Sequence, residues 1–407
     1  MKKIIYTLLL FTSFQLVAQD HPTCDGDRYR EDVFENFTST TELKYGEGTT
    51  FGGEFQELFL DVYEPEGDTE TLRPLIILAF GGSFITGARE DMAFLCEAYA
   101  KRGYVAVTID YRLYDGPLFP VPSGEDMTDV VVKSISDMKA AIRYMREDAA
   151  TTNLYKIDPD NVFVGGISAG SITAAHTAVI DSTDVFTDEL LAILEANGGW
   201  EGNTSDNFEY SSEVQGYINF SGGLNDASWM DATDPPFMSI HDDMDGTVPY
   251  GEGFASIFGF DIIYMEGSQI LHEEAEAEGV MNILYTIEDS DGHVSFMTTE
   301  EGRTESINRS TDFLYELLCA DYVSNVEYTE LEGLSISPNP TTGLINIKSD
   351  NSQDLTSKVF NTFGQNLGTW QNASQIDLSH LGNGVYFLET SDETSKAKAI
   401  TKIVVKL

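Results

Sequence analysis

The heptapeptide "GGISAGS" places Ser168 between two glycines, Gly166 and Gly170, directly after the apolar run "NVFV". A serine on a sharp turn between a strand and a helix presents its hydroxyl at the edge of a sheet, and the residues two before and two after it must be small. The run "ITAAHTAV" that follows is typical of a helix. The G-x-S-x-G pattern in this context predicts that Ser168 is a nucleophile for acyl transfer.

A serine nucleophile needs a base to take its proton and a carboxylate to orient that base. The chain has six histidines, which are His21, His176, His241, His272, His293 and His380. Only His241 and His293 stand at the ends of strand-like runs downstream of Ser168. A loop after the run "NILYTI" can direct the His293 imidazole back to Ser168, so His293 is the predicted base.

The carboxylate is predicted in the segment "HDDMDGTVP". Asp245 is the predicted acid, and Asp242 and Asp243 are competing candidates. Acyl transfer also requires hydrogen-bond donors for the developing oxyanion. The backbone N–H of Ala169, directly after the serine, is one predicted donor. The glycine-containing loop "FGGSF" (residues 80–84), which ends an earlier strand, is the predicted source of the other.

Strands and helices alternate along the part of the chain that must position these residues. The apolar runs "RPLIILAFGG" (residues 73–82) and "YVAVTIDYR" (residues 104–112) predict strands buried on both faces, with a helix between them. Repetition of this unit predicts an α/β fold with a doubly wound, mostly parallel sheet. Residues 182–212 are predicted to be an insertion that either caps an acyl pocket or forms a surface loop. Its aromatic residues are Phe186, Trp200, Phe208 and Tyr210.

The charge of the 407-residue chain is strongly negative, with a formal net value of −45 at pH 7. Residues 333–407 hold six acidic and six basic side chains, so the whole excess lies before them. Such acidity argues against binding to nucleic acid or to anionic membranes, which need basic patches. Residues 1–18 combine a basic start with a short apolar run and predict a signal peptide. No other run approaches the roughly 20 apolar residues of a membrane span.

Export makes a disulfide possible among the three cysteines, Cys24, Cys96 and Cys319. One bonded pair and one free thiol are expected. The sequence leaves all three pairings open, together with the alternative of three buried thiols. No two of them have C-x-x-C spacing, so no zinc site is predicted.

The sequence pattern changes after residue 325. Short alternating strands with turn residues between them predict a small all-β sandwich over residues 333–407. The predicted organisation is therefore a signal peptide, an α/β domain over residues 19–325 and this C-terminal sandwich.

Five motifs in order resemble those of an α/β-hydrolase of the carboxylesterase and hormone-sensitive-lipase-like kind. They are "FGGSF", "DYRL", "GGISAG", "HDDMDGTVPY" and "DGHVSF". The resemblance implies a triad of Ser168, Asp245 and His293, and oxyanion N–H groups at Gly82, Ser83 and Ala169.

The chain departs from that family's pattern at three positions. Phe80 and Ser83 replace a histidine and a glycine of the usual oxyanion loop, and Asp242 stands where the acid loop normally has glycine. The first two departures put the identity of the second oxyanion donor in question. The third indicates that the backbone of the acid loop differs.

The C-terminal segment resembles the type A sorting domain of the type IX secretion system. The resemblance rests on "SISPNPTTGLINI", "VFNTFGQNL", "IDLSHLGNGVYFLET" and "KIVVKL". It implies that the secretion machinery is a partner and that the protein is released or held at the cell surface. A carbohydrate-binding sandwich is the alternative.

Together these features predict a secreted serine carboxylesterase that needs no cofactor and no metal. The ester is left open between acetyl or feruloyl groups on polysaccharide, acylglycerols and polyesters. A serine peptidase of the same fold and a surface adhesin built on an inactive hydrolase fold are the alternatives.

Overall fold

The computed structural model describes residues 24, 26–324, 334–349, 355–360, 366–382, 384–392 and 398–406. The chain divides into two compact units, Met1–Ala320 and Asp321–Leu407. The predicted signal peptide lies outside the described residues. Residues 325–333, where we place the end of the α/β domain, also lie outside them, so the domain boundaries stay predictions.

The first unit contains an eight-stranded sheet and a three-stranded sheet. Its strands are β1 (Phe37–Thr49), β2 (Phe55–Pro65), β3 (Arg73–Ala79), β4 (Val105–Ile109), β5 (Ile157–Ile167), β6 (Gly216–Phe220), β7 (Gly223–Leu224), β8 (Phe237–Asp242), β9 (Glu252–Ile257), β10 (Phe260–Gly267) and β11 (Asn282–Ile287). The large sheet has the order β1-β2-β4-β3-β5-β6-β8-β11. Its strands from β4 to β11 pair in parallel, whereas β1 and β2 are antiparallel to their neighbours. The predicted mostly parallel sheet is confirmed.

Six helices accompany these strands in the described part of the first unit and the residues that follow it. They are α1 (Ala93–Lys101), α2 (Gly124–Ala150), α3 (Ala169–Val179), α4 (Asp188–Ala196), α5 (Ser268–Glu278) and α6 (Glu300–Ser324). Every residue of β3, β4, β6 and β8 is buried, as expected for strands that are covered on both faces. Helix α3 packs on β5, β6 and β3. No helix within the described ranges is long and apolar enough to cross a membrane.

The antiparallel hairpin of β9 and β10 was not predicted from the sequence. Its turn is formed by Phe258 and Gly259, both with positive φ. Strand β10 also pairs with β7, which completes the three-stranded sheet. The hairpin therefore lies between the acid segment and α5 in the chain.

The cysteine pairing that the sequence left open is resolved in the structure. Cys24 and Cys319 form a disulfide with a Cα–Cα distance of 5.8 Å. Cys96 is a buried free thiol in α1, and burial raises its pKa well above the ordinary value. The disulfide links the start of the described chain to helix α6.

The second unit contains two antiparallel sheets. Its strands are β12 (Leu334–Ser337), β13 (Leu344–Ser349), β14 (Leu355–Phe360), β15 (Asn366–Gln371), β16 (Gln375–Asp377), β17 (Gly384–Asp392) and β18 (Lys398–Val405). The sheet orders are β12-β13-β16 and β15-β14-β17-β18. Both sheets contribute to one small core, including Ile345, Val359 and Leu388. This arrangement is the small all-β sandwich predicted from the alternating pattern.

A buried ion pair links the segment after β4 to α2. The Arg112 guanidinium donates to both oxygens of Asp137, at 2.7 and 3.1 Å, and the Arg112 backbone N–H also donates to this carboxylate. Arg112 also donates to the carbonyl of Thr49 and to the hydroxyl of Thr204. The two side chains are 1% and 0% exposed. The arginine of the "DYRL" motif thus joins four parts of the chain.

We expect Asp137→Ala to lower the free energy of unfolding by about 3–5 kcal/mol, because it leaves the buried Arg112 charge without its partner. The matched control is Glu57→Ala, which removes a partner of Lys44 from a pair whose side chains are 52% and 42% exposed. That change should leave the free energy of unfolding nearly unchanged, because exposed ion pairs contribute little to stability. Urea unfolding of both variants measures the difference, and equal losses would contradict the assignment.

Candidate active site

Ser168 lies on a strained turn between β5 and α3. Its backbone angles are φ 54° and ψ −116°, outside the regions that side-chain-bearing residues ordinarily adopt. A Cβ on Gly166 would collide with the backbone of Gly170, and one on Gly170 would collide with the carbonyl group of Ala79. The Ser168 N–H donates to the carbonyl oxygen of Phe220 at 2.8 Å. The turn therefore requires glycine at both flanking positions and is fastened to the end of β6.

The predicted base and acid lie next to this serine. In the tautomer with hydrogen on Nδ1, the Ser168 hydroxyl donates to His293 Nε2 at 2.7 Å, and His293 Nδ1–H donates to Asp245 Oδ2 at 2.6 Å. The three residues follow β5, β8 and β11, which are parallel strands of one sheet. Because the carboxyl ends of parallel strands lie at the same edge, residues far apart in sequence converge here.

Asp245 is held as an anion. Burial alone would raise the pKa of its carboxyl, but hydrogen bonds from His241 and His293 and from the Thr247 N–H outweigh burial and lower the pKa well below the ordinary value. Asp245 Oδ1 also accepts from the Val248 N–H at 3.2 Å. A buried carboxylate that stays charged can fix the tautomer of His293 and stabilise its protonated form.

The two competing carboxylates hold the histidine loop instead. Asp242 accepts hydrogen bonds from the Ser290 hydroxyl at 2.6 Å and from the backbone N–H and hydroxyl of Ser295. Asp243 accepts from the backbone N–H groups of Asp289 and Ser290 at 3.0 and 2.9 Å. These bonds tie down the loop on both sides of His293. Sequence reasoning did not find this role, although the acid at position 242 in place of the family's glycine was a signal for it.

The predicted oxyanion loop passes directly beside Ser168. A Cβ on Gly81 would stand 3.3 Å from the Cβ of Ser168. Gly82 has φ +130° and a Cβ there would collide with the carbonyl oxygen of Thr86, so the loop requires glycine at this position. Ser83 has φ 57° and, with Ala169, lines the cavity next to Ser168.

Ala169 is also the first residue of α3, where backbone N–H groups have no partner within the helix. Phe80, at the position of the family's histidine, is buried and stacked on Tyr111 with ring centroids 4.3 Å apart. The oxyanion residues stay a proposal.

The other histidines in the described part of the first unit make structural hydrogen bonds. His241 pairs with the Ser268 hydroxyl and the Val248 carbonyl group. His176 pairs with the Ile172 carbonyl group, and His272 with Asn282 and Ser239. Burial lowers the pKa of both His176 and His272 to about 4, so both rings are neutral at neutral pH.

A narrow apolar cavity of about 70 Å³ opens beside Ser168. Its walls come from α2, α3, α4, the β9–β10 hairpin and the segment after β7, and its lining includes Val131, Ile172, Leu194, Trp229 and Ile263. The insertion therefore contributes to the cavity through Leu190 and Leu194 of α4. The four aromatic residues singled out in the insertion do not line it.

Two family models match the chain. Residues 60–225 match BD-FAE, and residues 335–406 match the secretion system C-terminal sorting domain. The chain therefore contains an esterase-like α/β-hydrolase domain, matched over residues 60–225, and a type IX C-terminal sorting domain, matched over residues 335–406. Both predicted resemblances are confirmed.

Curated esterases resemble part of the α/β domain. A probable isoprenylcysteine alpha-carbonyl methylesterase of Arabidopsis thaliana is 28% identical over 166 residues, which are 41% of this chain and 28% of that protein. The para-nitrobenzyl esterase of Bacillus subtilis (strain 168) is 31% identical over 120 residues, covering 29% of this chain and 23% of the relative. The chain thus spans less than a third of the length of these curated relatives.

A solved structure shares the fold. Esterase 2 of Thermogutta terrifontis, phosphoramylated by tabun, aligns with a TM-score of 0.50 at 21% identity. The alignment covers 69% of this chain and 94% of that chain. The likeness establishes the α/β-hydrolase fold of the first unit.

We expect Asp242→Asn to lower kcat for a p-nitrophenyl ester by about tenfold to a hundredfold, because a loosened histidine loop displaces His293 from Ser168. The matched control is Asp289→Asn, which changes an exposed acid on the same loop and should leave kcat nearly unchanged. Steady-state kinetics should show the loss in kcat rather than in KM. An unchanged kcat for Asp242→Asn would show that its hydrogen bonds do not position His293.

Proposed function

We propose that the protein is a secreted serine carboxylesterase. The observation that carries the proposal is the continuous hydrogen-bonded chain from Ser168 through His293 to Asp245, beside an apolar cavity. The similarity of the protein to esterases supports ester hydrolysis as the class of reaction. Each group in the chain has the chemistry that an acyl-transfer step needs.

In the first half of the proposed reaction, Ser168 Oγ attacks the ester carbonyl carbon and His293 Nε2 takes the hydroxyl proton. The negative charge moves to the carbonyl oxygen, which accepts hydrogen bonds from N–H groups of Ser83 or Gly82 and of Ala169. The bond to the leaving oxygen then breaks, and His293 gives its proton to the departing alcohol. An acyl-enzyme on Ser168 remains.

In the second half, water attacks the acyl carbon while His293 takes one of its protons. The tetrahedral species collapses, the acid leaves, and the proton returns to Ser168 Oγ. Asp245 stays negative throughout and stabilises the imidazolium form of His293. The steps that we propose need no cofactor.

We expect Ser168→Ala to reduce turnover of a short p-nitrophenyl ester by at least about 10⁴-fold, because no covalent intermediate can form. The matched control is Ser171→Ala, one turn along α3, where the hydroxyl donates to Asn219. That variant should keep most of the activity, and a fluorophosphonate probe should label the wild type and the control only. Retained turnover by Ser168→Ala would refute the proposal.

A serine peptidase of the same fold would use the same three residues. It would hydrolyse peptide p-nitroanilides, which we expect this protein to leave intact. A surface adhesin on an inactive fold would neither hydrolyse esters nor react with a fluorophosphonate. These two assays separate the three functions.

The sorting domain supports export by a type IX machinery. The predicted signal peptide would direct the chain across the inner membrane before that step. In a host that carries this machinery, we expect the full chain outside the cell or on its surface. A chain without residues 334–407 should stay inside the cell envelope, because it lacks the sorting domain that the secretion machinery would recognise. Immunoblots of cell and culture fractions measure the difference, and equal release of both chains would contradict the proposed role.

A further inference from the structure

Two cavities of the first unit share one wall. The first is the narrow cavity beside the serine, and the second has a volume of about 300 Å³ and a more polar lining. Four residues line both cavities, and they are Thr128, Leu190, Asn225 and Trp229. We call these four residues the shared wall. It closes the first cavity against the second.

The shared wall is firmly anchored. The Asn225 N–H donates to His176 Nε2 at 3.2 Å, and its side-chain amide donates to the carbonyl group of Tyr264 in β10 at 2.8 Å. The next N–H, of Ala227, donates to Glu266, also in β10. The Trp229 ring packs on Phe186, with centroids 5.1 Å apart, and edge-on against His176 at 6.0 Å. The boundary of the first cavity is therefore built from fixed groups.

The size of the first cavity limits what it can hold. About 70 Å³ of space corresponds to roughly five water molecules, since one requires about 10–15 Å³ by this measure. A methylene group takes up about as much room as a water molecule, so a straight chain of about four to six carbons fills the cavity. An acetyl group leaves most of it empty, and an aromatic acid such as ferulic acid exceeds it.

The chemistry of the lining agrees with this limit. Among the described residues that line the first cavity, none is Asp, Glu, Lys or Arg. Its one histidine, His176, is neutral because burial lowers its pKa to about 4. Burial of an apolar acyl chain against this wall is therefore favourable. A charged or strongly polar acyl group would lose its hydrogen bonds to water and find few partners in the wall.

We propose that Trp229 determines the acyl-chain length of the reaction by closing the far end of the acyl cavity, so that the enzyme prefers straight aliphatic acyl groups of about four to six carbons. The inference rests on the proposed serine esterase function. It identifies a specificity residue that does not take part in the bond-making steps.

The test compares kcat/KM for p-nitrophenyl esters from acetate to dodecanoate and for methyl ferulate. In the wild type, kcat/KM should rise by up to about fourfold per added methylene, the value expected for burial of one CH₂. It should reach its maximum near four to six carbons and then fall, with little turnover of methyl ferulate. In Trp229→Ala the two cavities join, and the maximum should move to eight carbons or more.

Trp200→Ala is the matched control. Trp200 also packs on Phe186, with ring centroids 5.0 Å apart, but it lines neither cavity. This variant should keep the wild-type profile, which separates the opening of the cavity from general loosening of the aromatic cluster. Should Trp229→Ala fail to fold, Trp229→Phe should give a smaller shift in the same direction.

Three results would overturn the inference: a wild-type preference for acetate or ferulate, an unchanged profile in both Trp229 variants, or the same shift in Trp200→Ala. Failure of the proposed function looks different. In that case the wild type hydrolyses no ester of any length, and Ser168 takes no fluorophosphonate label.

Discussion

The close approach of α3 to the end of β3 is the constraint on which the site depends. Glycine at position 170 lets the helix come up against the carbonyl group of Ala79, and glycine at position 166 lets the turn close on itself. The strained backbone of Ser168 is tolerated because its N–H is bonded to the carbonyl oxygen of Phe220 and helix α3 is packed on three strands. As a result, Ser168 stands at the start of α3, next to the loop of Gly81.

The remaining groups reach that space because the central strands are parallel. Strands β5, β8 and β11 end at the same edge, so their following loops lie together. Proximity alone would leave the histidine loop free to move, and the acid loop removes that freedom. Asp242 and Asp243 bind the loop on both sides of His293, while Asp245 binds the imidazole itself. One short acidic segment therefore supplies both the carboxylate bonded to His293 and the groups that hold the histidine loop.

Much of this could be predicted from the sequence, for identifiable physical reasons. Strands buried on both faces must be continuous apolar runs, and a turn as tight as that at Ser168 must have small neighbours, so both leave local patterns. The sequence favoured Asp245 as the acid but left Asp242 and Asp243 as competitors, because three similar carboxylates differ only in which donors reach them in the fold. It also left the Cys24–Cys319 bond open, since 295 positions separate the two residues. The β9–β10 hairpin was not predicted, because polar and apolar residues do not alternate strictly along it.

The match to BD-FAE covers only part of the site. The match, over residues 60–225, contains Ser168 and the predicted oxyanion loop but ends before Asp245, His293 and Trp229. The hairpin and the turn that holds Trp229 lie in the part beyond the match, and they enclose the acyl cavity together with α4 of the insertion. The match therefore covers the turn that presents Ser168 and part of the cavity wall, whereas Trp229, on which the proposed limit on acyl length rests, lies beyond it. For this chain, selectivity has to be derived from the cavity itself.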